Sequence, residues 1–569
     1  MKKSFNYYKP AEKTLFDGPA VSIIVVAGIA ANGLLLFTNF IIWDGWWLIQ
    51  ELIYGHRFKL LLAYTQEFGR PIDYFYWRIL GFFPKPEVAI KLLALVSWII
   101  AALFMFRCLR VLGGLSALAA CAVSVLFVTC PAYKMMGESI LFMNTVSFAI
   151  FWFAWWVYAK AVFTPYPWTR IVASTLFVVS FNLNSLLVFF YAVGLVILLL
   201  EAKSYTPRIV FDLLLRRTRQ FPELPLLPIV YWIGKSVFVP TSGHHLEYNK
   251  PSFAPTLLIA GYRHAWEYLV LSGARSLFEG LGMGLAIAVV GVLLAAKFAP
   301  ALRSPFGDSQ KDPFGVMCVA GFGLLLAAAF PYIAVNQNLA SDGWLTRNNI
   351  LVGMPIAMVF VGSFGWVCVK FRLPSFFWIS AVVTLCALFV IRSNKNLLEL
   401  EALNAKQQSL RQKMRSAVQA SGASVVQIRD YFWIPGTIPY YPPIIWTYLV
   451  AYGDPRPRTF VIDVSGIAPP EERIAPDGSK QLLFPALPIN SALLSKIMDQ
   501  TTMSWLLDEV PLAGPQIMFI AQQGRLGNNG VSIGASYLWL KWFHPKGLPE
   551  FLDQITDTHI LELPPVGPS

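Results

Sequence analysis

Charge is what this sequence has least of. Only 14% of its 569 residues are Asp, Glu, Lys or Arg, against about a quarter in an ordinary soluble domain. Cysteine is equally sparse. The six are Cys108, Cys121, Cys130, Cys318, Cys368 and Cys386, all in or beside apolar runs and none in CxxC spacing. They read as small buried hydrophobes, which excludes a disulfide framework and a zinc-ribbon metal site. No GxxxxGK[ST] loop and no HExxH occurs. Gly280-Leu-Gly-Met-Gly284 is glycine-rich but opens an apolar run instead of following a strand, so helix packing accounts for it better than a dinucleotide. A nucleotide-powered pump and a cytosolic nucleotide-sugar enzyme lose their support. The formal charge of +13 invites a nucleic-acid reading, but in a membrane protein Lys and Arg gather on cytoplasmic loops, and no nucleic-acid partner is expected.

What is abundant is apolar length. The chain is 56% hydrophobic with a mean hydropathy of +0.56. Runs of about 17–25 apolar residues, each able to cross a core of about 30 Å, recur through most of it. The expected spans lie near 20–42, 88–106, 114–131, 140–162, 170–184, 185–200, 224–240, 279–297, 314–336, 349–369 and 374–392. Met1 to Lys13 is polar and basic, and no small-residue cleavage site follows the run from Val21 to Trp43. That run is therefore read as a retained first span.

Segment 170–200 decides the topology. It is too long for one span, its centre Ser180-Phe-Asn-Leu-Asn-Ser185 is polar, and both flanks are basic, with Lys160 and Arg170 before it and Lys203, Arg208, Arg216, Arg217 and Arg219 after it. Two short spans turning near Asn182 and Asn184 keep both flanks on one side; a single kinked span is the alternative. With the hairpin, about eleven spans run from a cytoplasmic N-terminus. Loops 43–87, 131–139, 241–278 and 337–348 and everything after about 393 fall outside. The fold class expected is a polytopic α-helical membrane domain, 1–392, followed by a small extracytoplasmic mixed α/β domain, 393–569. In the latter, Asn394 to Ala420 has helix-forming composition, and Val425–Ile428, Thr459–Val464 and Gln516–Ala521 read as strands between turns.

The candidate chemistry sits on the outer loops. Asp44 follows the first span, with Glu51, Glu67, Arg70 and Asp73 in the same loop. Lys134 and Glu138 are in the second loop, and Lys235 is near the outer end of its apolar run. His244, His245, Glu247, Arg263 and Arg275 share the fourth loop, and Asp342 and Arg347 the fifth. Each has a plainer reading. Asp44 suits an N-cap for a helix starting at Gly45. Trp43, Trp46 and Trp47 suit a membrane-interface belt, with 46–68 an amphipathic interfacial helix broken near Gly55. Lys235 suits snorkelling, and Lys134 and Glu138 suit the capping of a span. His244-His245-Leu-Glu247 has metal-ligand residue types without a wider constellation, so a divalent metal stays open and no other cofactor is expected.

An acid just after the first span, an interfacial stretch, a glycine some ten residues on and then Gly-Arg-Pro form a pattern: Asp44, Gly55 and Gly69-Arg70-Pro71. The pattern resembles the GT-C membrane glycosyltransferases, particularly the bacterial Gtr-type glucosyltransferases that decorate O-antigen. The architectural likeness covers most of the chain; the motif covers about 40–90. One position departs: Gtr-type proteins often carry two adjacent acids where this chain has Asp44-Gly45. The resemblance implies an enzyme of the bacterial inner membrane. Its donor is a sugar on a polyprenyl phosphate or diphosphate, and its acceptor is a glycan, glycolipid or protein on the outer face, as in lipopolysaccharide assembly.

Under that implication Asp44 is the base that takes the acceptor hydroxyl proton. Arg70, Lys235, Arg263 and Arg347 are candidates to hold the donor phosphate. Glu51, Asp73, Glu138, His244, His245, Trp46, Trp47 and Tyr74, with Tyr76 and Trp77, are candidates to contact substrate. A single displacement inverts the anomeric centre. A transporter or flippase of lipid-linked glycans, a scaffold protein, and a ligase or polymerase of envelope glycans are the rival expectations.

Overall fold

The structure, a computed structural model, describes residues 18–42, 45–54, 58–163, 166–202, 204, 206–242, 250–271, 274, 313–341, 343–435, 437, 445–452, 459–464, 471–474, 480–483 and 515–563. Asp44, Gly55, His244, His245, Glu247, Arg275 and Asp342, and the expected span 279–297, lie outside the described residues.

In the membrane domain the helices are α1 (Gly18–Asn32, extended by a tight turn to Phe37), α2 (Gly45–Tyr54), α3 (Phe58–Glu67), α4 (Ile72–Leu80), α5 (Pro86–Val111), α6 (Ala117–Thr129), α7 (Phe142–Phe163), α8 (Pro167–Ser180), α9 (Leu186–Ala202), α10 (Pro207–Gln220), α11 (Leu227–Phe238), α12 (Pro255–Ala265), α13 (Pro313–Ile333), α14 (Gly353–Lys370) and α15 (Ser375–Ser421). Local chemistry sets many ends. Pro86 opens α5 where no backbone donor is needed, with Glu87 in its first turn and Arg110 in its last, matching the helix dipole. The Ser116 hydroxyl caps α6 by accepting the Ala119 N–H at 3.2 Å.

Among the described residues six helices are long and apolar enough to cross a bilayer: Gly18–Phe37, Pro86–Val111, Phe142–Phe163, Pro313–Ile333, Gly353–Lys370 and the first part of Ser375–Ser421. Leu186–Ala202 with Pro207–Gln220, bent by 115° between them, makes a seventh candidate. The protein is a polytopic helical membrane protein. Fewer full-length spans stand among the described residues than the eleven expected, because α6, α8 and α11 have only 13, 14 and 12 residues, about 20 Å of helix each.

The chain reverses between α8 and α9. The Phe177 and Phe190 rings meet edge-on at 4.9 Å, whereas thirteen residues of straight helix would hold them about 20 Å apart. Trp155 of α7 lies against both rings, at 5.3 Å from each. Close approach matters most between α13 and α14. A Cβ on Gly362 would lie 2.6 Å from the Cys318 nitrogen, and one on Gly321 would lie 2.9 Å from the Val359 nitrogen, so glycine on both helices lets the backbones touch.

Helix α15 has 47 residues, about 70 Å, and runs unbroken through position 392. Its second half is buried nearly all round, from Leu397 to Leu410, and forms the core of the C-terminal domain. There the sheet order is β2 (Phe460–Asp463), β1 (Val425–Asp430), β5 (Gln516–Gln523), β6 (Thr556–Leu563). β1 runs parallel to β2 and β5, with Val425 opposite Phe460 and Gln516, and β5 runs antiparallel to β6. A separate hairpin pairs β3 (Glu471–Ile474) with β4 (Lys480–Leu483). Helices α16 (Ile445–Ala451), α17 (Gly530–Phe543) and α18 (Leu548–Ile555) complete the unit. The three expected strands and the 394–420 helix fall on β1, β2, β5 and α15. The boundary expected near 392 is no linker but the middle of a helix.

Candidate functional site

Gly-Arg-Pro forms the corner between α3 and α4. Gly69 adopts φ +63°, and a Cβ there would sit 3.0 Å from the Val239 carbonyl oxygen and 3.1 Å from Lys235 Cε. Only glycine allows both the left-handed turn and the close passage of the α11 end. Pro71 then fixes the start of α4. The corner turns Arg70 inward. Its Nη2 donates to Asn144 Oδ1 of α7 at 3.0 Å, and its Nε lies 3.0 Å from Asp73 Oδ2.

The turn between α8 and α9 completes the cluster. Asn182 Nδ2 donates to Asp73 Oδ1 at 2.6 Å. Lys235 Nζ donates to Asn184 Oδ1 at 2.8 Å. Ser185 Oγ and Tyr332 Oη of α13 lie 3.2 Å apart. Asp73 is buried, and burial pushes its carboxyl above the ordinary value, while Arg70 and then the Asn182 amide pull the other way. Tyr76 is raised as well, first by burial and then by the Asp73 charge. The loops expected on one side of the membrane meet here. Besides these bonds, the Ser242 N–H donates to the Glu67 carbonyl at 3.1 Å and Ser252 N–H to Ala334 at 2.6 Å.

A second polar group lies at the mouth of the first span. Lys91 Nζ donates to the Phe40 carbonyl at 3.1 Å and the Thr38 hydroxyl at 3.3 Å. Glu138 is fully buried and its Oε2 accepts the Ile140 N–H at 2.6 Å, so it caps the approach to α7 as its plainer reading expects. Its Oε1 lies hard against the point a Cβ on Gly45 would take, with Ser139 Oγ at 2.8 Å from that point. Lys134 Nζ meets Glu399 Oε2 of α15 at 2.6 Å. The Asn39 N–H donates to Glu401 Oε2 at 3.0 Å. Ser393, Asn394 and Asn396 donate to the carbonyls of Thr129, Ala30 and Pro131. The long helix is thus bonded to the C-terminal ends of α1 and α6.

Other expected residues stand apart. Arg263 is exposed on α12 and pairs with Glu267 at 3.0 Å. Arg347 lies over the Trp344 ring at 4.7 Å. Among the described residues the expected stretch 46–68 carries two helices, α2 and α3, and most of α2 is buried in protein. Trp46 and Trp47 are 1% and 2% exposed. Trp46 packs edge-on against Tyr452 of the C-terminal domain at 5.3 Å, and Trp47 against Tyr64 of α3 at 5.1 Å. Trp77 lies on the same Tyr64 ring at 6.0 Å, so these tryptophans have protein on faces expected to meet lipid or sugar. Tyr74 is half-buried beside Phe75, and Glu51 is half-buried on α2. Among the described residues no group of three His, Cys, Asp or Glu is placed to hold a metal.

Sequence reasoning missed the amides. Asn144, Asn182 and Asn184 bind the charged residues directly, and their one advance signal was polarity inside apolar runs. Compared with family models, curated proteins and solved structures, the chain matches none.

Proposed function

We propose that the chain is an integral-membrane glycosyltransferase of the GT-C type, moving a sugar from a polyprenyl-phosphate donor to a glycan or glycolipid acceptor on the outer face. The observation that carries this reading is the cluster of Arg70, Asp73, Asn144, Asn182, Asn184 and Lys235, drawn from four segments to one end of the bundle. A sugar phosphate needs fixed cations for its charge and amides for its hydroxyls, at the depth where an isoprenoid tail still lies in lipid. Arg70 offers a planar fork and Lys235 a point charge for that phosphate.

In this mechanism Asp44 takes the proton from the acceptor hydroxyl as its oxygen attacks the anomeric carbon. The bond from that carbon to the phosphate oxygen breaks, its electron pair leaves with the phosphate, and the added negative charge falls to Arg70 and Lys235. One displacement inverts the centre. The departure at Asp44-Gly45 fits the same reading: where the resembled pattern has a second acid, the Glu138 carboxylate from the next loop occupies the space over Gly45.

The test is transfer by the purified chain in nanodiscs, supplied with labelled polyprenyl-phosphate sugars and extracted envelope acceptor. Asp44→Asn is expected to abolish transfer while retaining donor binding. Arg70→Ala and Lys235→Ala are each expected to lower transfer by about 100-fold. Equal transfer by wild type and Asp44→Asn removes Asp44 from the mechanism. Movement of labelled lipid across the bilayer without transfer overturns the reading in favour of a transporter.

A further inference from the structure

The C-terminal domain exposes aromatic side chains at one place on helix α17. Trp539 is 61% exposed, Trp542 53% and Phe543 70%. They share one side of the helix with Ser532 and Ala535, which are small and also exposed. The opposite side is fixed. Ile533, Tyr537 and Leu538 are buried, and Gly534 lies directly on the Leu398 carbonyl of α15. The aromatic turn therefore has one orientation, and no protein among the described residues covers it.

Its neighbour says what does. Trp542 Nε1 donates to the Phe37 carbonyl at 3.1 Å, and the two rings meet edge-on at 6.1 Å. Lys541 Nζ reaches the same carbonyl at 3.4 Å. Phe37 closes the first span and is itself 54% exposed, and further along that span Ile23, Val26 and Ile29 are 50%, 65% and 53% exposed. That bare stripe on a spanning helix faces lipid. The aromatic turn of α17 continues it, at the level where tryptophans gather in membrane proteins. Lys541, His544 and Lys546 lie on or just after the turn, and no acid occurs from Gly530 to Pro549, a charge balance suited to anionic headgroups.

We propose that the end of α17 is a membrane-docking surface. Trp539, Trp542 and Phe543 insert into the headgroup–acyl boundary of the leaflet beside the first span, and Lys546 faces lipid phosphate. An interfacial helix buries its apolar face about 5–10 Å into that boundary. The C-terminal domain is then held at two places, through α15 and through lipid.

The test uses the full chain in nanodiscs, with Trp539→Cys and Phe543→Cys each carrying an environment-sensitive fluorophore. His559→Cys, exposed on edge strand β6, is the water-facing control. The native cysteines are buried or half-buried, and the unsubstituted chain treated alike supplies the background. Labels at 539 and 543 are expected to emit at shorter wavelength and to be quenched several-fold more than the control by lipids brominated high on the acyl chain. Quenching equal to the control at both positions overturns the proposal. A blue shift without bromine quenching also overturns it, since protein, such as a second copy of the chain, then covers the turn. Both substituted side chains are exposed, so neither variant opens a core.

Discussion

Lys134 and Glu399 form the pair on which the joint between membrane and C-terminal domains can be measured. Nζ and Oε2 are 2.6 Å apart, with side chains 0% and 7% exposed. Removing one partner of a buried pair leaves an uncompensated charge and costs about 3–5 kcal/mol. In Lys134→Met, Glu399 keeps Arg392, whose Nη1 is 3.9 Å from Oε1, so the cost falls near the lower end. Glu399→Leu removes the anion that Lys134 and Arg392 share, and its cost falls in the same range. A loss of 3 kcal/mol lowers the folded-to-unfolded ratio by about 150-fold. The double variant removes both charges together and is expected to cost under about 2 kcal/mol, because apolar replacement of a buried pair is often neutral. The assay is reversible unfolding in mixed micelles titrated with dodecyl sulfate, followed by tryptophan fluorescence. Single variants within about 0.5 kcal/mol of wild type, or a double variant whose cost equals the sum of the two, would refute the reasoning.

Asp73 predicts a pH effect. Burial raises its folded pKa above the ordinary carboxylate value, so the folded chain binds the proton more tightly than the unfolded chain. Stability from this group is full below the unfolded pKa and is lost as pH rises through the folded one. The stability difference between wild type and Asp73→Asn is therefore expected to shrink with rising pH across that window. A difference that grows with pH means that the Arg70 charge outweighs burial. Gly69→Ala forces a left-handed conformation costing about 1–2 kcal/mol and presses on Lys235. A lower melting temperature with weaker donor binding is expected, and unchanged values for both would show that the corner relaxes freely.

The membrane class was legible because it rests on composition, and the 394–420 helix and three strands because their periodicity survives without partners. The polar centre of 170–200 was legible as a turn for a definite reason: amides in an apolar run must find partners, and Asn182 and Asn184 find Asp73 and Lys235. The burial of Trp46 and Trp47 was not legible. A tryptophan pair after a span reads equally as an interfacial belt or as a contact under another domain, and Tyr452 is some four hundred positions away. Lys134 and Glu138 looked alike in sequence, yet one pairs with a helix 265 positions distant while the other caps its own loop. Pairing across such distances leaves no local pattern.

The burial of α2 changes where substrate contact must be sought. Trp46 is held against Tyr452 of the C-terminal domain, and Trp47 against Tyr64 of α3, so neither ring is open to a sugar face in this arrangement. The C-terminal domain is bonded to the mouth of the first span, where Asn39 donates to Glu401 and Trp542 to Phe37. Under the glycosyltransferase reading, recognition then falls to the cluster. Tyr74 and Tyr76 are half-buried there on α4, one turn or less from Asp73, and the α8–α9 turn brings two amides to the same place. Under that reading, Asn182, Asn184 and the two tyrosines are the groups to test for sugar specificity, and the tryptophans that stand out most in the sequence pack against protein.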